Sequence, residues 1–156
     1  MPEEKDFKKA YSELQKKFSV PDIEYIDSEF EISTIEADKF LLREIRRKIH
    51  DKIDAVCKVL DGVLQPEPVW HSMYESGIFT DDEKKGLYLI YKELMAYNRA
   101  SSVLELEAND KLNAKFISEF ANKWKSMKEK LVDVMKKMEE GWKKEASMDE
   151  KLGYFG

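Results

Sequence analysis

The sequence predicts an all-α fold, an up-and-down helical bundle of about four long helices in a single domain spanning residues 1–156. Glycine and proline are scarce, and they separate long segments whose apolar residues recur every three or four positions. No segment alternates apolar and polar residues over the length of a β-strand. A chain of 156 residues with 42% hydrophobic residues is large enough to bury a core without disulfides or metals.

The first helix is predicted over residues 3–18, where four apolar residues at spacings of four, three and four share one face: Phe7, Tyr11, Leu14 and Phe18. This helix should end before Pro21, because the residue before a proline is pushed out of the α region. Residues 21–32 contain five carboxylates and no basic side chain. We expect this acidic segment to be an extended or one-turn connector that lies on the bundle.

The second helix is predicted over residues 33–64. Ser33 and Glu36 have the spacing of a capping box, in which side chain and backbone satisfy each other's hydrogen bonds at a helix start. Its apolar stripe consists of Leu42, Ile45, Ile49, Ile53, Val56, Leu60 and Val63. Pro66 and Pro68 follow, and the connector behind them has room for one helical turn.

The third helix is predicted over residues 81–106, after a second capping box formed by Thr80 and Glu83. Its apolar residues are spread over more than one face: Leu87, Tyr88, Ile90, Tyr91, Leu94, Met95, Tyr97, Val103 and Leu104. A helix that is apolar on several faces is typically buried. We therefore expect it to be the central helix of the bundle.

The last helix is predicted over residues 109–145, with Asn109 or Asp110 as its cap. Spacings of three and four alternate along a seam formed by Ile117, Phe120, Trp124, Met127, Leu131, Val134 and Met138. This 3.5-residue period predicts knobs-into-holes packing. Because this helix is longer than the first, part of the seam should protrude or be covered by a second copy, so a homodimer is plausible. Its lysines also allow an acidic partner or an anionic membrane, although a solvated face is the simpler interpretation.

The tail over residues 146–156 places three large apolar residues among glycines: Leu152, Tyr154 and Phe155. An apolar peptide of this kind either folds back onto its own bundle or docks into a partner protein.

Composition narrows the class of protein. Cys57 is the single cysteine, which excludes an intramolecular disulfide and a cysteine-based zinc site and favours the cytoplasm. No apolar run is long enough to span a membrane, and the N-terminal residues are charged where a signal peptide would be apolar. A net charge of -5 argues against nonspecific coating of nucleic acid.

A basic strip on the second helix is the strongest candidate site. Five side chains fall within about 80° of one another at 100° per residue: Lys39, Arg43, Arg46, Arg47 and His50. Clustered guanidinium groups pair well with phosphate or carboxylate oxygens, so the strip could bind nucleic-acid backbone or an acidic partner. Alternatively, the strip pairs with carboxylates of its own chain, such as Glu44, Asp54 or the acidic segment.

The spacing from Arg43 to His50 resembles the Arg-x4–6-His signature of the HEPN ribonuclease families. That resemblance implies a histidine that moves a proton and an arginine that holds the scissile phosphate. In those families the motif lies late in the domain, whereas here it lies in the first third. Carboxylate pairs one turn apart also occur, but a chain with 32 acidic residues produces them by chance. We predict no catalytic set, no metal and no cofactor.

The run LLREIRRKI, followed about thirty residues later by FTDDEKKGLYLIYKEL, resembles the helical half of the GINS replication subunits. The resemblance covers about a quarter of the chain and would imply an accessory role in DNA processing. Those subunits generally add a small β domain, whereas this chain ends in a long heptad helix.

The sequence therefore predicts a non-catalytic interaction or scaffold subunit that binds partner proteins. Two alternatives stay open. One is an accessory subunit of DNA- or RNA-processing machinery that contacts the phosphate backbone through the basic strip. The other is a small helical hydrolase or ribonuclease.

Overall fold

The computed structural model describes residues 2–36, 39–107 and 109–144, with side chains from residue 6 onward. In these residues the protein is all-helical and has no β-strand, which confirms the predicted fold class. Six α-helices are present: α1 Pro2–Lys17, α2 Ile23–Phe30, α3 Leu41–Leu64, α4 Trp70–Gly77, α5 Asp81–Leu106 and α6 Asp110–Lys143. The helices α2 and α4 stand where the sequence predicted connectors.

The central helix is α3. It contacts α2, α4, α5 and α6, and nine of its residues are buried: Leu41, Leu42, Ile45, Arg46, Ile49, Ile53, Cys57, Leu60 and Val63. The prediction that the third long helix is central is wrong, because α5 buries only Leu87, Leu94, Asn98 and Ser101. The apolar residues of α5 are divided between the core and the solvent, which periodicity alone does not distinguish from burial on all sides.

The start of α3 also differs from the prediction, which placed it at Ser33. Ser33 lies in a short 3-10 turn over Ile32–Thr34, and the next residue, Ile35, is extended with φ -74° and ψ 125°. Phe40 then adopts the left-handed conformation, with φ 60°, directly before α3. Neither conformation belongs to a right-handed α-helix, so the predicted helix over residues 33–64 is shortened to Leu41–Leu64.

The acidic segment contains the helix α2 rather than an extended connector. The Asp22 side chain accepts a hydrogen bond from the backbone N–H of Tyr25 at 3.4 Å and caps the helix. Phe30 is buried one turn after Ile26, and its ring lies 5.9 Å from the Trp124 ring. This pair of buried residues at helical spacing gives an eight-residue helix enough apolar contact to hold it on the bundle.

Glu29 is the acidic residue of α2 that joins it to α6. Its carboxylate accepts hydrogen bonds from Trp124 Nε1 at 2.7 Å and Lys128 Nζ at 2.6 Å. Burial opposes ionisation of Glu29, but these two hydrogen bonds, together with the positive charges of Lys128 and Lys52, outweigh burial and lower the pKa of Glu29. Within the described residues, no hydrogen bond or ion pair joins the acidic segment to the basic strip.

The predicted seam of α6 faces the protein's own core. Six of its seven residues are buried, and Val134 is half-buried against the same core. The seam therefore offers little open surface to a second copy. The short helix α4 closes the other end of α3, where the hydroxyls of Ser72 and Ser76 donate to the carbonyls of Gly62 and Val63 at 3.2 and 2.7 Å. Helix-end carbonyls need such donors.

Gly86 offers a test of the helix assignment of α5. A Cβ added there would meet no atom within 4 Å, and alanine is more favourable than glycine in a helix interior by roughly 1 kcal/mol. We expect Gly86→Ala to raise the free energy of unfolding by about that amount in urea denaturation. The control is Ala96→Gly, at an exposed position of the same helix, which should lower it similarly. A loss of stability with Gly86→Ala would contradict a regular helix at this position.

Candidate functional site

The basic strip is not one continuous exposed surface. Lys39 and Arg47 are exposed and Arg43 and His50 are half-buried, but Arg46 is only 1% exposed. Lys39 also precedes Leu41, the first residue of α3, so its predicted place on the helix face is wrong. The other four side chains lie on α3 but do not share a common environment. Arg46 belongs to the core, and docking through the strip stays a prediction for the other four residues.

The buried Arg46 guanidinium joins three helices. Its Nε donates to Asn113 Oδ1 of α6 at 2.8 Å, and one terminal nitrogen donates to the hydroxyl of Ser101 in α5 at 2.7 Å and to the Ser101 carbonyl at 3.1 Å. The other terminal nitrogen donates to the Glu105 carboxylate. A buried charge is tolerated only when it is paired and hydrogen-bonded in this way, so Arg46 is an internal tie between α3, α5 and α6.

Polar pairs recur every seven residues along the α3–α5 interface. Arg47 pairs with Glu105, whose Oε1 lies 2.6 Å from a terminal nitrogen of Arg47. One heptad further along α3, Asp54 Oδ1 accepts from Asn98 Nδ2 at 2.6 Å. One heptad beyond that, the Asp61 carboxylate interacts with the Tyr91 hydroxyl and raises its pKa. Residue numbers rise along α3 as they fall along α5, so the two helices are antiparallel. We call this set the polar ladder.

Glu105 carries the largest share of the strip's charge compensation. Hydrogen bonds from Arg47 and then from Arg46 lower its pKa to about 2. Arg47 is also held by Glu44, at 2.9 Å. For Arg46 and Arg47, the contacts therefore support the alternative that the strip pairs with carboxylates of its own chain. The main partner, however, comes from α5 and not from the acidic segment.

The remaining strip residues do not form a catalytic pair. The Arg43 guanidinium lies 4.5 Å from the centre of the Phe40 ring, and its Nε is 3.6 Å from Glu44 Oε1. His50 Nε2 lies 3.3 Å from Asp54 Oδ2. A polar cleft of about 470 Å³ is lined by His50, Arg46, Arg47 and Glu105 among others, but not by Arg43. The arrangement that the HEPN resemblance implies, with both side chains facing one phosphate, is not formed.

Two other kinds of chemistry, at a reactive thiol and at a metal site, have no support in the described side chains. Burial raises the pKa of the Cys57 thiol to about 11, so the thiol is protonated and unreactive at neutral pH. Among the described residues, no three histidine, cysteine, aspartate or glutamate side chains come together to hold a metal. Likewise, no described helix combines the length and apolar character required to cross a membrane. The predicted docking residues Leu152, Tyr154 and Phe155 lie outside the described residues.

The surface of α5 that points away from α3 is the feature that sequence reasoning missed. Between Tyr88 and Leu106, eight exposed residues lie within an arc of about 120°, and we call them the outer face of α5: Tyr88, Leu89, Lys92, Ala96, Arg99, Ala100, Val103 and Leu106. Tyr88 and Leu89 are 54% and 66% exposed, and Val103 and Leu106 are 53% and 90% exposed. The face is about 27 Å long at 1.5 Å per residue.

The charges on the outer face are all positive. Lys92 and Arg99 are its only ionisable side chains besides Tyr88, and neither forms an ion pair with a described carboxylate. The two carboxylates between Tyr88 and Leu106 lie outside the arc: Glu105 faces α3, and Glu93 lines a groove between α5 and α6. Nearer the start of α5, the exposed Asp81 and Asp82 continue the arc, so the purely positive part begins at Tyr88. The sequence contained the signal, because the apolar residues of α5 cover two faces and only one can meet α3.

Removal of the Arg46 side chain and removal of the Arg47 side chain should have very different effects on the free energy of unfolding. Arg46→Ala leaves Asn113 and Ser101 without their buried partner, so we expect a loss of about 3–5 kcal/mol in the free energy of unfolding. Arg47 is 44% exposed, and Arg47→Ala should cost less than about 1 kcal/mol. Urea denaturation measures both. Equal, small losses would contradict the internal position of Arg46.

The low pKa of Glu105 makes the stability of the fold depend on pH between about 2 and 4.5. The carboxylate is ionised in the folded protein down to pH of about 2, whereas its ordinary pKa is 4.5. The unfolded chain binds the proton first, so this contribution is complete above pH 4.5 and is lost as the pH falls towards 2. We expect Glu105→Gln to flatten the pH dependence of the unfolding free energy in this window. The control Glu107→Gln, which removes the same charge at an exposed position, should leave the slope intact.

Comparison with known proteins does not identify a family or a function for the chain. No protein-family model, curated protein or solved structure matches the chain.

Proposed function

We propose that the protein is a non-catalytic helical interaction subunit that binds a partner protein through the outer face of α5. The up-and-down bundle that the sequence predicts would act as the scaffold that holds this face rigid. The supporting observation is the reversed polarity of the last turns of α5. Asn98 and Ser101 are polar and buried, while Val103 and Leu106 are apolar and exposed.

Reversed polarity favours binding over a purely structural role. Exposed apolar side chains contribute less to the core than buried ones, and an exposed apolar patch rimmed by polar residues is typical of an interaction surface. Interfaces are enriched in aromatic residues and arginine, and both are present in Tyr88 and Arg99. A long helix with an uncovered face also provides the geometry for side-by-side helix packing.

Contact with nucleic acid through the basic strip is the runner-up, and the contacts do not favour it. Arg46 has no surface to offer a phosphate, and Arg47 already bonds Glu105 and Glu44. A phosphate group would have to displace those carboxylates. We therefore place the interaction surface on α5.

Charge substitution on the outer face tests the proposal. We expect the double variant Val103→Glu with Leu106→Glu to fold normally, since both side chains are more than half exposed. Tagged wild-type protein should capture a specific partner protein from cells of the source organism, identified by mass spectrometry. The variant should lose that partner, because a buried, unpaired carboxylate disfavours an apolar contact.

The matched control is Asn122→Glu with Ser126→Glu, which adds the same two negative charges at exposed positions of α6. This control should keep the partner. Capture that survives the α5 variant but disappears in Arg43→Glu with Arg47→Glu, and is sensitive to nuclease, would instead favour the nucleic-acid alternative.

A further inference from the structure

The outer face of α5 has a pattern that restricts what can bind it. Its residues follow spacings of four, four, three, four and three: Tyr88, Lys92, Ala96, Arg99, Val103 and Leu106. Large apolar side chains stand at both ends, and Ala96 and Ala100 stand in the middle. Small residues let a second helix approach closely, while the large ones at the ends fill its grooves. The face therefore fits another α-helix of about five turns.

The charges on this face set the sign of the partner. The whole chain has a net charge of -5, yet Lys92 and Arg99 are the only charged side chains here, and both are cations. Three of the four arginines have a carboxylate of this chain nearby, namely Arg43, Arg46 and Arg47. Arg99 instead donates to the amide oxygen of Asn98, so it keeps its charge available to a partner.

From these observations, and resting on the proposed function, we infer that the outer face of α5 binds an amphipathic α-helix of a partner protein whose apolar stripe is bordered by aspartate or glutamate. The apolar stripe covers the large residues at the two ends. The carboxylates pair with Lys92 and Arg99 in the middle.

Two other occupants fit the pattern less well. A second copy of this chain, aligned antiparallel so that the apolar ends of the two faces meet, would place Lys92 and Arg99 near the same two cations, while Asp81 and Asp82 of each copy would lie beyond the overlap. An anionic membrane would gain only two cations, which is a weak electrostatic contribution. An acidic helix satisfies both the apolar and the charged residues of the face.

Two synthetic helical peptides of about 20 residues test the inference. Both carry the same leucine and alanine stripe, bordered by glutamate in one and by lysine in the other. Titration of the full chain is followed by fluorescence anisotropy of the labelled peptide. At low salt we expect the glutamate peptide to bind about tenfold more tightly, which is the scale of two surface ion pairs. The preference should shrink in high salt, which screens exposed charges.

Variants assign the binding to this face. Lys92→Glu with Arg99→Glu should reverse the preference towards the lysine peptide. Leu106→Glu, at a position that is 90% exposed, should weaken binding of either peptide. Lys123→Glu with Lys136→Glu makes the same change in net charge on α6 and should leave the preference unaltered. Far-UV circular dichroism confirms that each variant is folded.

The outcomes separate this inference from the proposed function. Equal binding of the two peptides, or binding of neither, overturns the acidic partner. If the cellular partner is lost with Val103→Glu and Leu106→Glu but kept with Lys92→Glu and Arg99→Glu, the proposed function stands and the acidic partner does not. A dimer in light scattering that Leu106→Glu dissociates would assign the face to a second copy. Binding to phosphatidylserine–phosphatidylcholine vesicles in preference to the peptides would assign it to a membrane.

Discussion

The buried guanidinium of Arg46 constrains the arrangement of the three longest helices more than any single apolar contact. Apolar side chains can slide past one another at small cost, because dispersion and burial have little direction. The four acceptors around Arg46 do not have that freedom, since each accepts along a fixed direction from a planar group. A shift of α5 along α3 would leave a desolvated charge without partners. Such a penalty selects one register among many that would bury similar area.

The polar ladder extends this constraint along α3 from Arg47 to Asp61. Asp54 with Asn98 and Asp61 with Tyr91 repeat the pairing at intervals of one heptad. The inner face of α5 is therefore mixed, because Asn98 and Ser101 are buried on the same helix as Leu87 and Leu94. Most of the buried apolar residues come from α3 and α6, and they include Ile45, Ile49, Ile117 and Phe120. This division explains why α5, although long and rich in apolar residues, is not the central helix.

Local signals in the sequence predicted much of the fold. The capping box of Thr80 and Glu83 and the cap at Asn109 fixed the starts of α5 and α6 to within a residue, because both act over one turn. The capping box at Ser33 failed, since tertiary packing of Ile32 and the left-handed Phe40 placed the start of α3 later. Four of the five residues of the basic strip lie on α3, but Lys39 precedes the first residue of that helix, Leu41. Its partner Glu105 was not found, because the pairing joins residues 58 positions apart.

Polarity along α5 connects this architecture to binding. If α5 served only to close the bundle, polar residues in place of Leu89 and Leu106, which are 66% and 90% exposed, would cost the core little and would lower the risk of aggregation. The chain instead keeps apolar residues there and buries Asn98 and Ser101, which hydrogen-bond Asp54 and Arg46 of α3. Because these hydrogen bonds help to fix the register, the exposed apolar residues of α5 are left for contacts outside the bundle. A helix held rigidly in this way binds with little loss of conformational entropy, so the same ladder that orders the fold also prepares the outer face for a partner.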